Sequence, residues 1–218
     1  MIKINRLFTP VLLRILYVIF VLLLMGMACL IPGIGSIFAL SAYCVIALFC
    51  DTYIFGGIAG KEQHKMNFIR SSLRGNGLIR RALKVNLTYH NIAIWAIGVV
   101  SYVISLLLLT DGFSLWELGF AVASSCYSTG IFSLTLWLSR KFVGGIQGSI
   151  FAAYGEAVVL AAGLSLQRYV FSIEEFGIVK VLCLLPAIAL AVFGSAFCLK
   201  KSFAGFITGF YDNNSLEM

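Results

Sequence analysis

The chain has 218 residues, 61% of them hydrophobic and only 11% charged, with a formal net charge of +7. Soluble domains are about one quarter charged, so too few polar side chains exist here to cover a water-soluble surface, and the class is a polytopic membrane protein. Nor does the basic excess point to nucleic acid, because the lysines and arginines flank apolar runs as topology signals do.

In chain order, Lys3 and Arg6 precede a first apolar run from Val11 to Ile31. At ~1.5 Å rise per residue this run crosses a ~30 Å hydrocarbon core. Its length exceeds that of a signal-peptide apolar region, so it reads as a retained span, 11–31. Pro32-Gly33 turns the chain into a second span, 34–60. A polar island at 61–88 separates this from a third span, 89–109. Thr110-Asp111-Gly112 leads to a fourth span, 115–138. Arg140-Lys141 and Gly144-Gly145 precede a fifth, 149–166, and a sixth covers 177–199 with Lys200-Lys201 as its stop. The runs are continuously apolar without period-2 alternation, so the spans are helices and the fold class is all-α. No internal repeat or linker divides the chain, which reads as a single transmembrane domain, 1–218. After Lys201, Phe203, Phe206, Ile207 and Phe210 recur at helical spacing, as in an interfacial foot.

Charge fixes the expected orientation. With the N-terminus in the cytoplasm, fourteen of the sixteen bases fall on the inner side and two, Arg168 and Lys180, on the outer. That asymmetry predicts six spans with both termini cytoplasmic. The small size suggests a bacterial inner (plasma) membrane.

The island holds seven bases, Lys61, Lys65, Arg70, Arg74, Arg80, Arg81 and Lys84, against one acid, Glu62. Met66, Ile69 and Leu73 share one helical face, with Lys65, Arg70 and Arg74 off it, so the first half reads as a short amphipathic helix. Gly75-Asn76-Gly77 is read as its stop and turn. Leu78, Ile79, Ala82 and Leu83 then start a second helix that runs into the third span. Such a hairpin is either a docking surface for a soluble protein or an interfacial helix lying on anionic lipid.

Asp51 near the inner end of the second span, the segment Lys65-Met66-Asn67-Phe68-Ile69-Arg70-Ser71-Ser72-Leu73, and the basic start Leu78-Ile79-Arg80-Arg81-Ala82-Leu83-Lys84 together resemble permease subunits of type-2 ATP-binding-cassette exporters. Where that family often has Ser-Leu-Pro, this chain has Ser-Leu-Arg-Gly. The resemblance implies a coupling helix that fits a pocket on a separate ATPase subunit, with Met66, Phe68, Ile69, Arg70, Leu73 and Arg74 as the docking residues. It also implies a second permease copy or a paralogue, with the first and fifth spans near the dimer interface, and ATP and Mg bound on the ATPase rather than on this chain.

Motifs for other chemistry are missing. Gly56-Gly-Ile-Ala-Gly60-Lys61-Glu62 has the wrong spacing for a P-loop. No G-x-S-x-G or H-E-x-x-H occurs, Cys50 and His64 match no peptidase pattern, and none of the six cysteines forms a C-x-x-C pair. The chain therefore reads as a non-enzyme without its own cofactor.

Asp51 and Glu156 are acids inside spans. A charge there costs ~2.5–3.5 kcal/mol even on insertion scales, so each must face protein or water, or be protonated. Either acid could line a transport path or satisfy an interhelical hydrogen bond; for Asp51 a basic partner near the inner face is expected, and for Glu156 a path-lining role. Ser128 and Thr129, in a Ser/Thr/Tyr-rich fourth span, are candidates for the same polar path. The fifth span is rich in small residues, and Gly155, Ala161 and Gly163 are expected to pack closely, either within the bundle or across a dimer. These residues support two further readings: a non-transporting scaffold, immunity or assembly protein, and a secondary carrier that uses Glu156.

Overall fold

The computed structural model describes residues 11–31, 33–61, 73–109, 114–141, 146–173 and 177–208. The described residues form an all-helical bundle. Helix α1 spans Val11–Leu30 and α2 spans Ile34–Lys61. Helix α3 comprises Leu73–Trp95, a π-helical turn at Ala96–Val100, and Ser101–Leu109. Helices α4, α5 and α6 span Leu115–Lys141, Ile146–Ser172 and Gly177–Thr208. Among the described residues, α2 to α6 each contain a stretch long and apolar enough to cross a membrane, and Ile15–Leu30 of α1 is a shorter apolar helix. The protein is a multi-pass membrane protein.

Three boundaries differ from the sequence reading. Gly75-Asn76-Gly77, expected to end one helix, lies within the first turns of α3, which is helical from Leu73. Each glycine costs a helix about 1 kcal/mol. The following segment recovers this by burying Ile79, Ala82, Leu83, Val85 and Leu87 in the bundle. Helix α5 extends past Leu166 to Ser172, so Arg168 is helical, because it has a partner on α4. Helix α6 does not stop at Lys200-Lys201 but continues to Thr208, with Arg80 of α3 lying over the Phe203 ring at 5.8 Å. Pro186 sits inside α6; neighbouring helices make such a break tolerable in a membrane.

Side-chain contacts define the two ends. At one end, Asp51 of α2, Asn86 of α3, Arg140 of α4 and Ser202 of α6 converge. Glu117 of α4, Arg168 of α5 and Lys180 of α6 mark the opposite end. Gly33, between α1 and α2, also lies there: it adopts φ +86°, and a Cβ on it would stand 3.0 Å from the Arg168 guanidinium carbon. Helices consecutive in the chain thus alternate in direction, and the exposed bases Arg80, Arg81, Lys84, Lys200 and Lys201 gather at the Arg140 end.

Helix α4 is the most deeply buried span, while α5 and α6 turn most of their surface outward. Small residues set its packing. At the α4–α6 crossing, a Cβ on Gly194 would lie 2.8 Å from the Gly130 carbonyl oxygen, so the two backbones are in contact. Gly98, in the π turn of α3, leaves room for the Ser125 side chain of α4, which a Cβ there would strike. The apolar core gathers Leu24, Leu40, Leu48, Ile94, Ile97, Phe132, Leu136, Leu160 and Leu164 from five helices.

Candidate functional site: an ionic hub and a carboxyl in an apolar groove

The hub at the basic end is built on Arg140, in the last turn of α4. Its guanidinium donates two bonds of 2.9 Å to the two Asp51 oxygens, one from Nε and one from a terminal nitrogen. It also donates to Asn86 Oδ1 at 3.1 Å and to Ser202 Oγ at 3.3 Å. Both charged side chains are fully buried. The planar fork of an arginine matches a carboxylate bidentately, which lysine does not. Four helices that meet nowhere in sequence are therefore joined through one side chain. A second polar chain lies nearby: Tyr17 of α1 bonds Tyr43 of α2, whose hydroxyl is 2.8 Å from His90 Nδ1 of α3. The His90 ring packs on Phe132 of α4 at 5.0 Å between centroids.

Glu156 occupies a different place. It is 1% exposed and faces α4, where Thr135 donates its hydroxyl to Glu156 Oε1 at 2.9 Å. The other oxygen, Oε2, is buried without a hydrogen-bond partner among the described residues. A buried acceptor left unmatched costs about 1–3 kcal/mol. Glu156 and Thr135 also line an open groove of about 520 Å³ between α4 and α5, whose apolar walls include Ile131, Leu134 and Leu138 on one side and Phe151 and Val159 on the other.

The other sequence candidates are dispersed. Ser128 and Thr129 are buried inside the bundle, their hydroxyls without hydrogen-bond partners among the described residues, and neither lines the groove. Much of the hydroxyl content of α4 is spent locally, as Ser125 donates to the Ala121 carbonyl and Ser133 to that of Thr129. Gly163 packs inside the protomer, where its missing Cβ makes room for Tyr127, whose hydroxyl donates to the Val159 carbonyl. Gly155 and Ala161 are exposed. Of the docking candidates, Met66, Phe68, Ile69 and Arg70 lie outside the described residues, and Leu73 and Arg74 begin α3.

The opposite end carries a weaker ionic feature. Arg168 donates to both Glu117 oxygens at 2.7 Å, with about a third of each side chain exposed. Beside it Lys180 is 1% exposed, has no hydrogen-bond partner among the described residues, and sits 4.5 Å above the Trp116 ring. Sequence reasoning gave Arg140 and Lys180 only topological roles. The available signal was position: Arg140 follows the apolar run of α4 directly, and Lys180 lies inside the apolar run of α6.

No known protein family, curated protein or solved structure matches this chain.

Proposed function

We propose that this chain is the transmembrane permease subunit of an ATP-driven exporter, moving an amphipathic substrate such as a peptide, lipid or drug. A separate ATP-binding-cassette ATPase would bind ATP and Mg and dock on the 62–74 segment, and a second permease copy or a paralogue would complete the pathway. The inner, basic end would face the cytoplasm of a bacterial cell.

The observation that supports this reading is the continuity of α3. It is helical from Leu73 into the span, and at Asn86 it joins the Arg140 hub that also holds α2, α4 and α6. From Leu73 to Asn86 is roughly 20 Å of helix at ~1.5 Å per residue. Buried, bidentate contacts are stiff, so a displacement imposed on the start of α3 would move four helices together rather than bend one. This is the property a coupling element requires.

The test is purification of tagged protein from its own cells in mild detergent, with mass spectrometry of what accompanies it. A stoichiometric P-loop ATPase, lost in the Met66→Asp/Leu73→Asp variant, is the expected result. Recovery of the chain alone, or with membrane partners only, overturns the reading and favours a scaffold or a secondary carrier.

One observation favours a second reading. The unmatched Glu156 oxygen beside an open groove suits a secondary carrier. That carrier would work without an ATPase, follow an ion gradient and fail in Glu156→Gln.

A further inference from the structure

We infer that the α4–α5 groove is a binding site for a membrane-dissolved cationic amphiphile, a protonated tertiary alkylamine, whose single N–H bonds Glu156 while its chain lies along the apolar walls. The assignment rests on the groove itself and holds whatever drives transport.

Two features of the site select this chemistry. The first is stoichiometric. Thr135 takes one Glu156 oxygen, and the other is buried without a partner among the described residues, so the site lacks a donor for a whole carboxyl oxygen. A tertiary ammonium has one N–H and matches it. A primary ammonium brings three donors and would leave at least one unmatched against the apolar walls, whereas a quaternary ammonium has the charge but no donor. An anionic head would meet the carboxyl with like charge or with no donor. A hard divalent cation needs six or more oxygens, and among the described residues Thr135 and Glu156 are the only carboxyl or hydroxyl side chains lining the groove.

The second feature is shape. About 520 Å³ is within the range of small-molecule sites. The walls are aliphatic apart from Phe151, and the groove is open at the bundle's surface between two helices rather than to a polar channel, so a ligand would arrive by way of the bilayer. Gly155 keeps the groove clear: a Cβ on it would meet nothing within 4 Å.

The experiment uses the full chain in nanodiscs and dicyclohexylcarbodiimide, an apolar carboxyl reagent. The Glu156 carboxyl oxygen adds to the carbodiimide carbon as the acid proton passes to nitrogen, and the adduct rearranges to a stable N-acylurea with no atom lost. Site-resolved mass spectrometry reads modification of Glu156. Three protectants are titrated by membrane mole fraction: N,N-dimethyldodecylamine, dodecyltrimethylammonium and dodecanol. The tertiary amine is expected to protect at about tenfold lower mole fraction than either of the others, the size of one hydrogen bond to a charged group. Gly155→Phe, which fills the groove, is expected to lose modification while keeping the wild-type melting temperature, and Val159→Phe serves as a second groove-filling variant. Equal protection by all three amphiphiles, or a folded wild-type chain whose Glu156 resists the reagent, would overturn the assignment.

Discussion

Removing either partner of the buried Asp51–Arg140 pair is the most informative perturbation of the fold. Both side chains have zero exposure, and the pair is held by two 2.9 Å bonds. In Asp51→Leu the guanidinium stays buried and loses its carboxylate, while the neutral Asn86 and Ser202 acceptors remain at 3.1 and 3.3 Å. In Arg140→Met a carboxylate is stranded instead. Breaking a buried pair from one side costs ~3–5 kcal/mol, whereas replacing both partners by apolar groups is often close to neutral. The double variant Asp51→Leu/Arg140→Met should therefore lose no more than about 2 kcal/mol, against about 6–10 kcal/mol for the summed singles. Reversible unfolding in mixed micelles, with helical circular dichroism as the readout, gives all four corners of the cycle. Losses that simply add, or single variants that each lose less than about 1 kcal/mol, would refute the claim that Arg140 and Asp51 act as one buried unit.

Further expectations rest on single contacts. Gly194→Leu drives a side chain into the Gly130 backbone, where nothing flexible can give, and should destabilise by ~1–3 kcal/mol or more; Gly26→Leu, with open space around its Cα, should be nearly neutral in the same unfolding assay. Lys180→Met removes a buried cation that lies over the Trp116 face and has no hydrogen-bond partner among the described residues. Insertion penalties of ~2.5–3.5 kcal/mol outweigh a cation–π contact of up to ~2 kcal/mol, so the variant should be about 1 kcal/mol more stable, and a lower melting temperature would contradict this. Glu117→Gln breaks a pair that is one-third exposed, and its loss should stay below about 1 kcal/mol and shrink further in high salt.

The amino-acid sequence foreshadows the class and the span order because hydrocarbon imposes length and apolarity on every crossing. It also shows that Asp51 needs a partner, since an isolated charge at that depth is costly. It does not show which partner, because Arg140 lies 89 residues away and the pairing depends on how α2 and α4 cross. The helix start at Leu73 was hidden by local chemistry: Gly75-Asn76-Gly77 has the composition of a turn, and the packing that overrides it lies further along α3. On α5, Gly163 and Gly155 look alike in sequence, yet one packs against Tyr127 and the other borders the groove. A helix apolar all round carries no hydrophobic stripe to tell its two faces apart. The π turn at Ala96–Val100 has no sequence signature beyond Gly98, whose role appears only when α4 is alongside.

The central claim is that a soluble ATPase grips the chain between α2 and α3, and site-specific photo-crosslinking tests it most directly. A benzophenone amino acid is placed at Met66, Ile69 or Leu73 in turn, with Asp111 as the control on the expected outer side, and intact cells are irradiated. The account predicts one protein adduct from the three island positions, identified by mass spectrometry as a P-loop ATPase, and none from the control. Adducts to lipid alone, or to other membrane spans, at all three island positions would contradict it.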